Sequence, residues 1–95
     1  MGIGIEREED MSYSSEETND EQLAILDDLE MLREDLVGEL QAINQYHGHA
    51  LVLENEEAVT IVEHIIEEEK EHVAELLRLI QSLDPVQADK FKEIL

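Results

Sequence analysis

The segment VEHIIEEEKEHVAELLRLIQSL, residues 62–83, places apolar side chains three or four positions apart, which is the period of an amphipathic helix. Glu69 and His72 interrupt the apolar stripe at positions where this period expects core residues. Residues three apart lie one above the other on a helix, so this carboxylate and this imidazole can bind one metal ion. The segment therefore predicts a helix that carries two metal ligands on its inner face.

A second helical face upstream carries a carboxylate in the same kind of position. Glu39 lies on this face, and Tyr46 follows it two turns later. Burying a lone carboxylate is costly, but a metal ion would neutralise it. We therefore predict Glu39, Glu69 and His72 as ligands; alternatively, Glu69 and His72 lie at the edge of a wide stripe and pair with each other or with water. Tyr46 is either a plain core residue or a neighbour of the site. The apolar residues of this face are Leu26, Leu29, Leu32, Leu36, Leu40 and Ile43.

Other histidines offer weaker candidate sites. His47 and His49 are two residues apart, about 200° around a helix, so they cannot share a metal unless the helix breaks at Gly48. His64 and Glu68 have the spacing of a surface metal clamp, but both fall on the polar side of their helix. We expect these to be ordinary surface residues.

The limits of the helices follow from capping and helix-breaking residues. Asn19 or Asp20 can cap the first helix, and Asp84 followed by Pro85 ends the second helix and opens a third. Residues 1–20 show no sustained period and are predicted to be a disordered acidic arm, with residues 21–95 forming the folded domain. We predict helices at about 20–53, 56–83 and 85–95, with Val86, Phe91, Ile94 and Leu95 docking on the first two.

The composition restricts the class of partner. The chain has 26 acidic and 6 basic residues, a formal net charge of -20, and no cysteine. Such a charge disfavours nucleic acid and anionic membranes, which would repel the chain, and it favours cations. No apolar run is long enough to cross a membrane and no signal peptide is evident, so we expect a cytoplasmic protein without disulfide or thiolate chemistry.

The predicted ligands form half of a known type of centre. A di-iron carboxylate centre in a four-helix bundle uses one Glu from each of two helices and a Glu-x-x-His from each of the other two. Glu39, Glu69 and His72 supply half of this set, and two copies related by a two-fold axis would supply all of it. We therefore predict an all-α, antiparallel two-helix hairpin with a short C-terminal helix, which becomes a four-helix bundle on dimerisation. Iron or manganese suits these ligands, and zinc could also occupy them.

At these residues the chain resembles the encapsulated ferritins, small two-helix relatives of ferritin that are packaged inside encapsulin shells. The resemblance covers residues 36–86 approximately and rests on ELQAINQY at 39–46, EEKEH at 68–72 and LDP at 83–85. It implies an inter-subunit di-iron ferroxidase centre formed by Glu39, Glu69 and His72, with Tyr46 close to it. It further implies a homodimer that assembles into a ring-shaped decamer inside an encapsulin nanocompartment, where the shell holds the stored iron.

One departure from the family pattern affects the route of iron. Relatives often carry acids one position before and two positions after the first metal glutamate, where this chain has Gly38 and Gln41. Glu34, one turn before Gly38, could substitute for them. Two alternatives to a ferroxidase remain open. One is a metal-free acidic hairpin that acts as an interaction or regulatory module, and the other is a different di-iron enzyme such as a rubrerythrin-like peroxidase.

Overall fold

A computed structural model describes residues 19–95, which form three α-helices. The helices are α1 (Asp20–Val52), α2 (Glu56–Leu83) and α3 (Pro85–Ile94). Three residues connect α1 to α2, so the two helices pack as an antiparallel hairpin, and α3 packs on α2. The all-α prediction is confirmed. The acidic arm predicted for residues 1–20 falls almost entirely outside the described residues.

Side-chain caps explain where the first two helices begin. Asn19 and Gln22 form a reciprocal capping box, in which each side chain accepts a hydrogen bond from the backbone N–H of the other, at 2.8 and 3.1 Å. Asn55 accepts a hydrogen bond of 2.8 Å from the backbone N–H of Ala58 and so caps α2. Residues 39, 69 and 72 therefore lie well inside continuous helices.

Asp84 links all three helices. One of its carboxylate oxygens accepts a hydrogen bond of 3.2 Å from the backbone N–H of Gln87 and caps α3. The other oxygen accepts a hydrogen bond of 2.8 Å from the guanidinium group of Arg33 on α1. The junction between α2 and α3 is thereby held against the first helix of the hairpin.

The hydrophobic core of the single chain is small. Within residues 19–95 only Leu29, Ile66 and Ile80 are buried, with 4%, 4% and 3% of their surface exposed. None of the helices in this range combines the length and apolarity needed to cross a bilayer. The hairpin therefore leaves apolar surface that another protein chain can cover. Large apolar residues with at least 45% of their surface exposed include Leu23, Leu26, Met31, Val37, Leu40, Ile61 and Leu79.

The predicted docking of α3 is wrong for most of its apolar residues. Phe91 is half-buried, but Val86, Ile94 and Leu95 are 66%, 80% and 91% exposed. α3 has only ten residues and packs on α2 alone, so one narrow face of it meets the hairpin. Apolar side chains on the rest of its circumference remain exposed in the single chain.

Candidate metal centre

Glu39 on α1 faces Glu69 and His72 on α2. His72 Nδ1 lies 3.0 Å from Glu39 Oε1 and 3.5 Å from Glu69 Oε1. One potential ligand atom from each of the three residues lies within 4.8 Å of the other two. The structure thus brings together the three side chains that the sequence singled out. Glu39 and His72, the first and the last of them, are 33 residues apart along the chain.

The three side chains differ in their exposure to solvent. The Glu69 and Glu39 side chains are 17% and 23% exposed, whereas the His72 side chain is 50% exposed. His72 was predicted on the inner face of a bundle formed by two copies, so its exposure in the single chain does not test that prediction. Three residues turn a helix by about 300°, so His72 lies about 60° around from Glu69, at the rim of the hairpin. The cluster is therefore open on the side where His72 lies.

Hydrogen bonds within the cluster shift the ionisation of all three groups. The pKa of Glu39 is lowered because His72 and Glu69 both hydrogen-bond to its carboxylate. The pKa of Glu69 is raised, mainly by its hydrogen bond to Glu39, and the Glu39 charge adds to this. The pKa of His72 is raised, mainly by its hydrogen bond to Glu39. Glu69 and His72 therefore keep their protons to a higher pH than free side chains do, whereas Glu39 loses its proton at a lower pH.

The donor set fits a divalent transition-metal ion. Two carboxylates and one imidazole are ligands for iron, manganese or zinc, and no thiolate is present to favour softer ions. One oxygen of Glu39 and one of Glu69 lie within 4.8 Å of each other, a separation at which two carboxylates repel unless a proton or a cation lies between them. The residues at this site thus match the chemistry of the metal centre predicted from the sequence.

An acidic groove adjoins the cluster on its open side. Glu34, Asp35 and Gly38 from α1 line it together with Glu75 from α2, and Glu39 and His72 form its inner end. Glu34 had been singled out from the sequence as a substitute acid near Gly38, whereas Asp35 and Glu75 had not. The sequence could have indicated Glu75 as a groove residue, because it lies three residues after His72 and so one turn along the same helix.

Tyr46 lies apart from the cluster in the single chain. It is half-buried and lies two turns from Glu39, roughly 10 Å along the axis of α1. Its ring meets the edge of the His49 ring, with centroids 6.5 Å apart. Within residues 19–95, no hydrogen bond joins Tyr46 to Glu39, Glu69 or His72. A role for Tyr46 next to the metal stays a prediction.

The remaining histidines lie away from the cluster. His47 is exposed. It lines a second groove together with Leu51 from α1 and with Glu63 and Lys70 from α2. His64 Nε2 lies 3.4 Å from Glu68 Oε2, and both side chains are more than half exposed. An exposed pair of this kind contributes little to stability.

The pKa shifts predict how metal binding depends on pH. A cation competes with protons for His72 and Glu69, whose pKa values are both raised. Affinity for Co(II) or Mn(II) is therefore expected to fall as the pH is lowered through the raised pKa of His72, at a higher pH than for a free imidazole. Isothermal titration across pH 5.5 to 8.5, roughly the range in which His titrates, would measure this. An affinity that stays constant down to the lower limit would contradict the assignment of His72 as a ligand.

Comparison with known proteins places the chain in a family. The family model described as ubiquinone biosynthesis protein COQ7 matches residues 27–87, well over half of the chain and all three candidate ligands. The chain belongs to the COQ7 family. This is a ferritin-like family of helical bundles, which agrees with the observed hairpin. Membership gives the fold and not the substrate, because one fold supports many activities.

Similarity to individual proteins agrees with the resemblance seen in the sequence. The chain is 44% identical over 62 residues to the encapsulin nanocompartment cargo protein EncC of Myxococcus xanthus, covering 65% of this chain and 48% of the relative. It is 39% identical over 66 residues to the cargo protein EncB of the same organism, covering 70% of this chain and 42% of the relative. It is 39% identical over 64 residues to a ferritin-like-encapsulin shell fusion protein of Pyrococcus furiosus, covering 67% of this chain and 19% of that protein.

These matches confirm the predicted resemblance to encapsulin-associated ferritin-like proteins. In each of the three relatives, the matched region is less than half of the protein. No solved structure matches the chain significantly. The comparisons therefore establish the family and the likeness to cargo proteins, and activity must be argued from the site.

Proposed function

We propose that this chain is a ferroxidase, which oxidises Fe(II) to Fe(III) at a di-iron centre shared by two copies. The observation that supports this most is the convergence of one ligand atom each from Glu39, Glu69 and His72 within 4.8 Å. Ferritin-like di-iron proteins use this donor pattern, one Glu from one helix and a Glu-x-x-His from the next, twice per centre. Two hairpins joined about a two-fold axis would supply the full set.

The roles of the three side chains follow from their chemistry. The carboxylates of Glu39 and Glu69 bind and neutralise Fe(II), and two such pairs can bridge two ions. His72 binds through one ring nitrogen and limits the number of carboxylates at each ion. The bound Fe(II) ions are the substrate and supply the electrons that reduce dioxygen or peroxide. Tyr46, two turns along α1 from Glu39, is the one Phe, Tyr or Trp residue of α1 and α2 and would lie near the centre.

Exposed apolar side chains on the hairpin support assembly beyond a dimer. Val37 and Leu40 are 52% and 47% exposed and lie about 160° and 100° around α1 from Glu39 in one direction. The groove residues Glu34 and Gly38 lie on the other side of Glu39. The surface around Glu39 can therefore pair two copies at the metal centre, while the surface of Val37 and Leu40 contacts a neighbouring pair. A ring built from such pairs requires two different contacts of this kind. A decameric ring is the assembly that we propose.

The likeness to cargo proteins supports a location for this activity. Two of the similar proteins are named as encapsulin nanocompartment cargo, and a third as a fusion of a ferritin-like protein to an encapsulin shell. We infer that this chain likewise acts inside an encapsulin compartment, in the cytoplasm. The small hairpin has no interior that could hold mineral, so the shell would provide the volume for the oxidised iron.

A direct assay tests the proposed activity. Metal-free protein is mixed with Fe(II) under air, and ferric iron is followed by its absorbance, with the buffer alone as reference. We expect oxidation well above the buffer rate and saturation as Fe(II) increases. A parallel series with hydrogen peroxide tests the rubrerythrin-like alternative, which would show consumption of peroxide at a higher rate than dioxygen. Oxidation at the buffer rate with both oxidants would favour the metal-free interaction module.

Glu34 is expected to speed delivery of iron to the site. It lines the groove that ends at Glu39 and His72, and a negative charge there raises the local concentration of cations. The variant Glu34→Ala should oxidise Fe(II) more slowly at low iron and recover as iron is raised, because the ligands are unchanged. Stopped-flow measurements over a series of iron concentrations would show this.

The controls for this prediction use neighbouring positions. Glu30→Ala removes an exposed acid one turn away on α1 that does not line the groove, and it should match the parent. The double variant Gly38→Glu, Gln41→Glu should speed oxidation at low iron. Nothing lies within 4 Å of a Cβ added at Gly38, so this change should also favour the helix by about 0.5 to 1 kcal/mol. Equal rates in all four proteins would mean that iron does not approach along this groove.

A further inference from the structure

His72 directs only one of its two ring nitrogens at the cluster. Nδ1 lies 3.0 Å from Glu39 Oε1 and 3.5 Å from Glu69 Oε1. The two nitrogens of an imidazole ring point in different directions, so Nε2 is turned away from these oxygens. Within residues 19–95, no hydrogen bond or ion pair reaches Nε2 of His72. The side chain is half exposed, so the ring is held at one end only.

Glu75 is well placed to bind the second nitrogen. It is exposed, lies one turn after His72 on α2 and lines the acidic groove beside it. Helical side chains lean toward the N-terminus of their helix, so a carboxylate at position 75 reaches back over the turn that carries His72. The hydrogen bond to Glu39 is the main cause of the raised pKa of His72, and the charge of Glu75 is the largest contribution to it from a residue outside the cluster.

The other carboxylates of α2 near His72 are less suited to this role. Glu68 lies one turn before His72, but its Oε2 lies 3.4 Å from His64 Nε2. Glu71 precedes His72 directly, and adjacent residues on a helix point about 100° apart. Glu75 therefore remains as the carboxylate that the helix itself brings to the exposed end of the ring.

A metal-bound imidazole needs an acceptor for its second nitrogen. When one ring nitrogen binds an ion, the other carries a proton. In metal sites this N–H is almost always donated to a carboxylate, a backbone carbonyl or water, which fixes the orientation of the ring and makes the imidazole a stronger ligand. An exposed ring such as that of His72 depends on this hydrogen bond more than a buried one, because core packing does not hold it.

We propose that Glu75 is a positioning residue of the metal centre, whose carboxylate accepts a hydrogen bond from the Nε2–H of His72 while Nδ1 binds the ion. The inference rests on the ligand set of the proposed function and adds a residue that binds no metal itself. Glu75 holds the ring in the orientation that directs Nδ1 at the cluster, and it makes Nδ1 a better donor. Loss of Glu75 then weakens metal binding through His72 without removing a ligand.

The test combines a structure with a series of affinities. A crystal structure of the Zn(II)-loaded protein gives the distance from His72 Nε2 to the Glu75 carboxylate. Competition with a chromophoric chelator gives the Co(II) affinity of the parent and of Glu75→Ala, Glu75→Gln and Glu71→Ala. Glutamine keeps an acceptor oxygen without the charge, and Glu71→Ala removes the same charge from another exposed position near His72. Alanine and glutamine both favour helix, and circular dichroism verifies that each variant folds.

We expect Nε2 of His72 to lie about 2.7 to 3.2 Å from an oxygen of Glu75. Co(II) affinity should be about tenfold lower in Glu75→Ala, with a smaller loss in Glu75→Gln and none in Glu71→Ala. A Glu75 carboxylate beyond hydrogen-bond reach of His72, or bound to the ion itself, would overturn the inference. Equal losses in Glu75→Ala and Glu71→Ala, or in Glu75→Ala and Glu75→Gln, would overturn it as well, because they indicate an effect of charge alone.

The same measurements separate this inference from the proposed function. If the parent binds Co(II) and oxidises Fe(II), any of the contrary results for Glu75 leaves the ferroxidase proposal standing. The expected distance and affinities without oxidation of Fe(II) would support the role of Glu75 and overturn the ferroxidase proposal. A parent that binds no Co(II) would overturn both.

Discussion

Replacing Glu69 or His72 with alanine is expected to reduce Fe(II) oxidation to the rate of the buffer. Each substitution removes one of the three candidate ligands that converge within 4.8 Å, and the proposed centre shared by two chains would lose two of them at once. The helical content should stay close to that of the parent, because alanine is the strongest helix former and neither substitution removes an apolar contact of the core. Circular dichroism and the oxidation assay on the same samples would separate the two effects.

Neighbouring residues provide matched controls for this result. Glu71 lies between the two ligands in sequence and is exposed, and Glu68 is paired with His64 at the surface. Glu71→Ala and Glu68→Ala change the net charge as much as Glu69→Ala does, yet they should oxidise Fe(II) at nearly the parent rate. A similar loss in all of these variants would mean that bulk acidity drives the reaction and that no specific site exists.

Assembly is expected to depend on metal to a similarly large extent. Without cations, Glu39 and Glu69 from two copies would place four carboxylates at one contact, and like charges at that range are unfavourable. At low ionic strength, metal-free protein should therefore be monomeric or a weak dimer, and Fe(II), Mn(II) or Co(II) should convert it to the larger oligomer. Sedimentation velocity with and without a chelator measures the change.

An uncharged site provides the control for this prediction. The double variant Glu39→Gln, Glu69→Gln keeps the shapes of the side chains, removes their charges and should no longer bind metal. It is expected to pair more readily than the metal-free parent, and its oligomeric state should not change when cations are added. If the parent forms the same oligomer with and without metal, the ion does not close the interface. In that case apolar contacts such as those of Ile61 would account for pairing.

The limits of the helices could be predicted closely because they depend on local chemistry. The cap at Asn19 and the Asp84-Pro85 break act within one turn of the chain, and the structure has helix ends at both places. The cap of α2 is Asn55, which was not among the capping residues predicted from the sequence. Its signal, an Asn before two acidic residues at the start of a helix, was present in the sequence.

The site could be predicted in part, because a helical period fixes the direction in which a side chain leaves its helix. It placed Glu39, Glu69 and His72 on faces that meet when two helices pair, and the structure brings them together. The period does not give the depth of a residue between two helices, which depends on how each helix is rotated about its axis. This is why the period could not show that His72 is half exposed in the single chain.

Some contacts between residues far apart in sequence could not be predicted. The ion pair between Arg33 and Asp84 joins residues 51 positions apart, and no local pattern indicates it. The exposure of Ile94 and Leu95 could not be predicted for the same reason, because the amphipathic pattern of α3 does not show what packs against this helix. Such features depend on the relative placement of whole elements.

The number of iron ions per chain tests the central claim most directly. Metal-free protein is loaded with Fe(II) without oxygen, passed through a desalting column, and analysed for iron, protein and oligomeric mass before dioxygen is admitted. The account predicts one Fe(II) per chain, two per pair of chains, an oligomer larger than the metal-free species, and oxidation of all bound iron on exposure to dioxygen. Iron that stays with the protein in undefined amounts, or an equal amount bound by Glu69→Ala, would contradict a centre built from Glu39, Glu69 and His72.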